Sequence, residues 1–529
     1  MTYEFDALVK EAFDTVMEHR PDMATMLGLH EYDTKMPSGT KDAQIALINN
    51  LDEYYSKFQT ISKEELPPQK QIDFDLMLNI IQYHLFMEKE VKNWEKDPDL
   101  AGVIGYSIVP LFSRQFAPFE ERLQSITARL QKCPQFVREF KSRITNPVKL
   151  WLDMAKVACS TLPVFFTIIS QTAKEKGLET DELDEAALKT AESITEYMNW
   201  LDTLSCSGEP VLGRKKFETL IQLRKLGYTP DEILVIGEAY LAEGKSQLQK
   251  LASTVDPDST PEHVLATMKK DHPETFEEVI SEYQKAMATL RTLVKEKEFA
   301  SLPEERLIVQ ETPVFLRHIV PIAAYFPPAP FEEDQMGIYF VTPVKGDALA
   351  EHNYTSIINT SVHEAYPGHH LQLIWANKHP SLVRLLTNAP EFVEGWAHYC
   401  EERMQNYGLD DNKIRLIQTK DMIFRAVRII IDVNLHCNEM NCEQAITFLQ
   451  KETGMDPQTA TAEVKRYTKT PGQPLSYLLG KHMLLHLQKD VKTHMKDAYS
   501  EEKFHDAMLK AGSMPFPYMR RELKLKNML

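Results

Sequence analysis

Pro367-Gly368 lies between two histidine-bearing dipeptides, His363-Glu364 and His369-His370, and no straight helix runs through it. Proline at this place lacks the amide hydrogen that would bond back to the carbonyl of His363. Gly368 supplies the freedom to kink or bulge. The stretch predicts a helix ending near Tyr366, a break, and a resumed helix whose first turn carries His369 and His370. One carboxylate and three imidazoles fall within eight residues, from 363 to 370. That is the donor set of a hydrolytic metal site, in which neutral imidazoles hold zinc and a free carboxylate takes a proton from water. The common helical form is His-Glu-x-x-His, with both histidines on one face. Here the position four after His363 is Pro367, which ligates nothing.

Helix geometry ranks the remaining candidates. His370 is seven residues after His363; on an unbroken helix it shares the face but sits about 10 Å further along the axis, too far to share one ion. A two-residue bulge at Pro367-Gly368 would return His369 to the place of the second histidine. His369 is the favoured ligand and His370 the alternate. The competing reading is a buried polar His pair capping a kinked helix.

A third ligand is expected on a separate helix. Glu391 to Glu402 reads as one, closed by Tyr407-Gly408. Glu394, His398 and Glu401 follow an i, i+4, i+7 spacing and share a face, and Gly395 lets another backbone approach. Phe392, Val393, Trp396 and Ala397 embed Glu394 in apolar sequence, where an unpaired carboxylate is costly and zinc would compensate it. An acidic stripe is usually a solvated face, and Glu401 and Glu402 are read as such.

Several segments together resemble one known family: His363 to Gln372, Glu394 to Tyr399, Arg428 with Asp432 and His436, and Pro471 to Tyr477. Arg20-Pro21-Asp22 through Gly28-Leu29-His30 and Tyr32-Asp33 are similar to its opening, so most of the chain is covered. This is the domain-of-unknown-function family 885 (DUF885), placed among the gluzincin-like metallopeptidases, whose zinc is held by two His and one Glu. The resemblance implies zincin-like hydrolytic chemistry; the length suits one mainly α-helical, bilobed body, and acidic enzymes of this sort often act on peptides.

Composition agrees with that class. The chain has 529 residues and only 19 glycines, about half the usual ~7%, which favours long helices over turn-rich sheet. Acidic residues exceed basic ones by 77 to 60, a formal charge of −17, which disfavours a nucleic-acid surface. The six cysteines are scattered with no Cys-x-x-Cys pair, so neither a disulfide framework nor a cysteine zinc site is implied. The N-terminus lacks a basic region followed by an apolar core. The longest apolar run, Val157 to Ile169, reads as too short to span a bilayer. These features predict a cytoplasmic protein without nucleic-acid or membrane partners; a homodimer is left open.

Helical patterns dominate residues 1–300, expected to form a scaffold lobe, with residues 301–529 as the catalytic lobe. Phe119 to Ile144 reads as an amphipathic helix interrupted near Pro134. Thr229-Pro230-Asp231-Glu232 is a helix start with cap, proline and capping Glu, and Thr260-Pro261 repeats the first two. Between Leu307 and Val344 the texture turns β-prone: Ile308-Val309, Val314-Phe315-Leu316, Ile319-Val320, and a strand at Gly337 to Val341 after a proline-rich loop from Phe326. A strand before the metal helix suits substrate holding through its edge, which makes Tyr339 a substrate-binding candidate. The alternative is an ordinary hairpin covering the core.

Two later segments are expected to complete the cleft. Arg428, Asp432 and His436 recur every four positions in an apolar helix and form one polar stripe. It reads as an Arg428–Asp432 ion pair, as support for a ligand histidine, or as substrate recognition by Arg428 and His436. Tyr477, which resembles the family tyrosine, is the candidate donor to the oxyanion of a tetrahedral intermediate, or else a packing residue at a helix start. The reading is a peptidase with one zinc ion per chain, held by His363, His369 and Glu394, with Glu364 as general base. Competing readings are hydrolysis of other amides, a two-metal phosphohydrolase using His363, His369, His370, Asp432 and His436, and a non-enzymatic helical binding protein.

Overall fold

Helices carry most of the described residues, as the scarcity of glycine predicts. The computed structural model describes residues 2–312, 317, 320, 322–437 and 439–529. Local signals act as their chemistry requires. At Thr229 the hydroxyl accepts the Glu232 amide at 3.3 Å, while the Glu232 carboxylate accepts the Thr229 amide at 2.7 Å, closing a capping box at the head of helix Pro230–Val255. Thr260 caps helix Pro261–Met268 in the same way through the His263 amide. Pro134 does not interrupt its helix: Phe119–Phe140 runs through it, because Leu123, Ile126, Leu130, Phe136 and Phe140 form one buried stripe.

The chain divides into two compact units at other places than residue 300. The first comprises Met1–Pro67, Met77–Pro210 and Ala329–Asp334, the second Pro68–Leu76, Val211–Pro328 and Gln335–Leu529. A buried ion network explains why 68–76 belongs with the second: Arg384, 2% exposed, bonds Asp73 at 2.7 Å and Glu522 at 3.0 Å. In the first unit the Val157–Ile169 run belongs to the 27-residue helix Lys149–Glu175, which by length and composition alone is apolar enough to cross a membrane. That corrects the expectation of a run too short to span. Trp151, Ala155, Cys159, Leu162 and Phe166 form its buried stripe.

The second unit holds a three-stranded sheet: β1 (Leu307–Glu311), β2 (Ala323–Phe326) and β3 (Gly337–Val341), in the order β1-β3-β2. β3 pairs parallel with β1, Val309 opposite Tyr339, and antiparallel with β2, Tyr325 opposite Tyr339. Val320 has no regular structure, and Val314 to Leu316 with Ile319 lie outside the described residues. β3 is the central strand and fully buried, so both its edges are taken. The strand edge expected to receive a peptide therefore cannot be that of Gly337–Val341.

After the sheet come helices Tyr354–Glu364, His369–Asn377, Pro390–Arg403, Asn412–His436 and Ser476–Met495. Helices Pro390–Arg403 and Ser476–Met495 cross backbone to backbone at Gly395 and Gly480: a Cβ on Gly395 would lie 2.5 Å from the Gly480 carbonyl carbon. Only glycine permits that approach.

Candidate metal centre

The helix break is built as the sequence requires, two residues earlier than expected. Helix Tyr354–Glu364 stops at Glu364, Tyr366-Pro367 is a cis peptide, and the chain resumes as helix His369–Asn377. The Gly368 amide bonds the Val362 carbonyl at 3.0 Å, and a Cβ at Gly368 would lie 1.9 Å from the His363 carbonyl oxygen. The Trp396 indole donates to the Pro367 carbonyl at 2.8 Å, tying the break to helix Pro390–Arg403.

This bulge brings His369 back beside His363, their rings 4.7 Å apart and nearly perpendicular. His369 Nε2 and His363 Nε2 lie 3.3 and 3.7 Å from one oxygen, Glu394 Oε2. That oxygen is buried and takes no hydrogen bond among the described residues. The donor atoms of His363, His369 and Glu394 all fall within 4.8 Å of one another. Zinc bonds of about 2.0–2.1 Å in a tetrahedron set donor atoms roughly 3.3–3.4 Å apart, so the triad fits such an ion. The side chains of His363, His369 and Glu394 keep 10%, 12% and 17% of their surface open, so solvent reaches the centre.

His370 is not part of it. Its Nδ1 lies 2.9 Å from the Tyr325 hydroxyl, its ring is fully buried against Gly337 of β3, and burial pushes its pKa down to about 4. The alternate ligand is thereby set aside: the resumed helix turns adjacent side chains apart.

Glu401, read from the sequence as a solvated face, is 1% exposed and stands directly behind His363. Its Oε1 lies 2.6 Å from His363 Nδ1 and accepts Arg425 Nη2 at 2.9 Å. Burial alone would neutralise Glu401, but Arg425 and the neighbouring histidines hold it ionised, well below the usual carboxylate range. Burial likewise opposes a charge on His363, yet Glu394 and Glu401 outweigh it and lift its pKa to about 10. Next to Glu401, His398 is pushed down to about 3 by burial and by the Lys481 and Arg425 cations, and stays neutral. With Nδ1–H donating to Glu401, His363 presents Nε2 to Glu394, the arrangement that orients a metal-binding imidazole.

Glu364 is half-buried at the end of its helix. Burial, with the Glu364 charge added, holds the phenols of Tyr283, Tyr325 and Tyr339 above their ordinary value. Tyr339 itself is 1% exposed with its ring 5.2 Å from that of Tyr283, so it packs and does not line an open surface. Tyr477 does face the centre: its ring stacks on His363 at 6.5 Å, delivered by the Gly395–Gly480 crossing. Burial and the Glu394 charge hold its phenol above the ordinary value, so it is a protonated donor at neutral pH.

The polar stripe acts on the segment that carries Tyr477. Arg428 bonds Glu463 at 2.9 Å and the Tyr467 hydroxyl at 3.1 Å, not Asp432, and lays its guanidinium 5.0 Å from the Tyr477 ring centre. Asp432, fully buried, accepts the Gly472 amide at 2.9 Å, and burial pushes its pKa up to about 8. His436 faces the Leu212 amide and the Tyr467 carbonyl with its two ring nitrogens and is fully buried. Substrate binding by His436 is thus corrected to a packing role.

A family model described as "Bacterial protein of unknown function (DUF885)" matches residues 21–523. The chain belongs to that family. Two solved structures share its fold. One, a "putative lipoprotein of unknown function" from Shewanella oneidensis, has 22% identity and a TM-score of 0.81 over 98% of this chain and 99% of that one. The other, a "putative lipoprotein" from Colwellia psychrerythraea, has 19% identity and a TM-score of 0.84 over 99% and 98%. No match is found among curated proteins. Both neighbours are described as putative lipoproteins, and that description contradicts the cytoplasmic expectation.

Glu401 and Arg425, which stand behind His363, are the residues that the sequence reading left out of the site. A signal for Glu401 was present: it shares a face with Glu394 and follows Trp396, Ala397, Tyr399 and Cys400, all fully buried.

Proposed function

We propose that this DUF885 protein is a zinc-dependent metallopeptidase of the gluzincin type, hydrolysing peptide bonds with His363, His369 and Glu394 as the residues that hold the ion. The observation that carries the reading is the convergence of two imidazole nitrogens on one otherwise unbonded carboxylate oxygen, with a carboxylate behind one imidazole. Bound there, zinc supplies Lewis-acid polarisation of the scissile carbonyl and a lowered pKa for water. Glu364 accepts the proton of the attacking water at its carboxylate and returns it to the leaving nitrogen. Tyr477 donates its phenolic hydrogen to the oxygen that gains charge. Glu401 fixes the tautomer and direction of His363, and Arg428, Glu463 and Asp432 hold the segment that presents Tyr477.

The test is metal analysis of the purified protein together with hydrolysis of a mixed oligopeptide library, for wild type and Glu364→Gln. About one zinc per chain is expected in both proteins, with turnover in the variant lower by about a hundredfold or more. A chain that takes up no zinc, or two metals, refutes the assignment. Loss of zinc in Glu364→Gln would make Glu364 a ligand.

A further inference from the structure

Within the first unit, a cavity of ≈ 340 Å³ opens between the end of helix Thr2–His19, the head of helix Lys41–Gln59 and the end of helix Phe119–Phe140. That volume is at the small-ligand end of ordinary binding pockets. Its polar wall carries two part-buried charges that are hydrogen-bonded but not paired with each other. Arg143 donates only to neutral oxygens, Gly39 O at 2.6 Å, Gln44 Oε1 at 3.3 Å and Ser38 O, and has no carboxylate within 4 Å among the described residues. Glu88 accepts the Gln44 side-chain amide at 2.9 Å and likewise has no cation within that distance. Gln44 is therefore a neutral spacer that keeps a cation and an anion apart in one cavity, where direct pairing would be the ordinary arrangement.

Further features make this wall fit for a ligand. Arg20, gripped by Asp22 at 3.0 and 2.8 Å, lines the same cavity and keeps 48% of its side chain open. Burial and this like charge push Arg143 down to about 10, an electrostatic cost that an anion would relieve. Glu88 lies in a π-helical turn, Met87–Val91, whose freed carbonyl at Glu88 accepts the Trp94 indole at 2.9 Å. Such turns are rare and frequently mark functional sites. Trp94, Phe136, Phe140, Leu47 and Val103 supply an apolar wall beside Arg20, Arg143 and Glu88, and Glu18, Asp97 and Asp99 complete the charged lining.

We propose that this cavity binds a small zwitterion of the α-amino-acid class, its carboxylate at Arg143 and Arg20, its ammonium at Glu88 and its apolar side chain against Trp94 and Phe136. The inference is independent of the metal centre. Isothermal titration of the full chain with L-phenylalanine, N-acetyl-L-phenylalanine and L-phenylalaninamide tests it, because the last two each lack one charge. The zwitterion is expected to bind about tenfold or more tightly than either analogue, the scale of one charge-assisted hydrogen bond. Glu88→Gln should abolish the preference over the N-acetyl compound, and Val103→Trp, which fills the cavity, should abolish binding. Equal affinity for all three probes, a preference for the N-acetyl compound, or no heat with any of them overturns the proposal. Binding that survives Val103→Trp belongs elsewhere and overturns it too. If either variant fails to fold, the ranking of the three probes on the wild-type chain still decides.

Discussion

Glu401→Gln isolates the carboxylate behind His363 while keeping its shape. In the native arrangement one oxygen serves both His363 Nδ1 at 2.6 Å and Arg425 Nη2 at 2.9 Å, at a residue 1% exposed. The glutamine oxygen can still accept one of these, but it carries no charge, and it cannot lift the basicity of the imidazole. Replacing a partner of this kind typically lowers metal affinity by about tenfold to a hundredfold, which is about 1.4–2.7 kcal/mol. Arg425, its side chain 12% exposed, also loses its charge partner, and breaking a buried pair costs about 3–5 kcal/mol when nothing replaces it. The retained amide oxygen and Asp421, 3.8 Å from Arg425, place the expected loss below that range. Zinc affinity would be measured by competition with a chromophoric chelator, and stability by denaturant unfolding of the metal-free chain. A variant that binds zinc within about threefold of wild type refutes the orienting role, whatever happens to stability, because such a role acts on the metal before it acts on the fold.

Other outcomes follow from the same geometry. His369→Ala should abolish stoichiometric zinc binding, whereas His370→Ala should keep it and lose stability through the buried Tyr325 contact; the reverse pattern by metal analysis would transfer the ligand role. Tyr477→Phe should lower kcat by about tenfold to a thousandfold with little change in KM, zinc content or Tm, since the ring stacked on His363 is preserved. An effect on stability alone would make it a packing residue. Acid should destabilise the fold from about pH 6.5 down to about 4, the window between the unfolded and folded histidine values. His398, His436 and His505 are buried and neutral, pushed from 6.5 to about 3, 4 and 4, so the unfolded chain binds more protons as pH falls and their stabilisation is lost. Asp432, raised to about 8, acts in the opposite direction and cancels one of the three. These four groups contribute a slope of at most about 3 kcal/mol per pH unit, His370 and His379, pushed by burial to about 4, add to it in the same direction, and urea midpoints that stay flat or rise from pH 6.5 to 5 would contradict it.

Much of this centre was legible in the sequence because covalent geometry acts over a few residues. Pro367 forbids one backbone hydrogen bond whatever surrounds it, and from that alone come the helix break and the choice of His369 over His370. Thr229-Pro230-Asp231-Glu232 closes a capping box through bonds that span three residues, so its neighbours have no vote. Glu394 and Gly395 announced a buried carboxylate and a close helix crossing through the apolar residues around them. What the sequence left undetermined depends on partners far along the chain. The apolar residues before Glu401 signal burial, but that it meets His363 follows only from the packing of helix Pro390–Arg403 on helix Tyr354–Glu364. Arg428 had Asp432 one turn away, yet bonds Glu463, 35 residues on, because helix Pro457–Lys469 brings a second carboxylate to its guanidinium while Asp432 is taken by the Gly472 amide. Strand β3 looked like an edge, but edge or centre is a property of the sheet and not of the strand. Local bonds are fixed by neighbours in sequence; charges and strand edges are assigned by whichever partner the tertiary fold delivers.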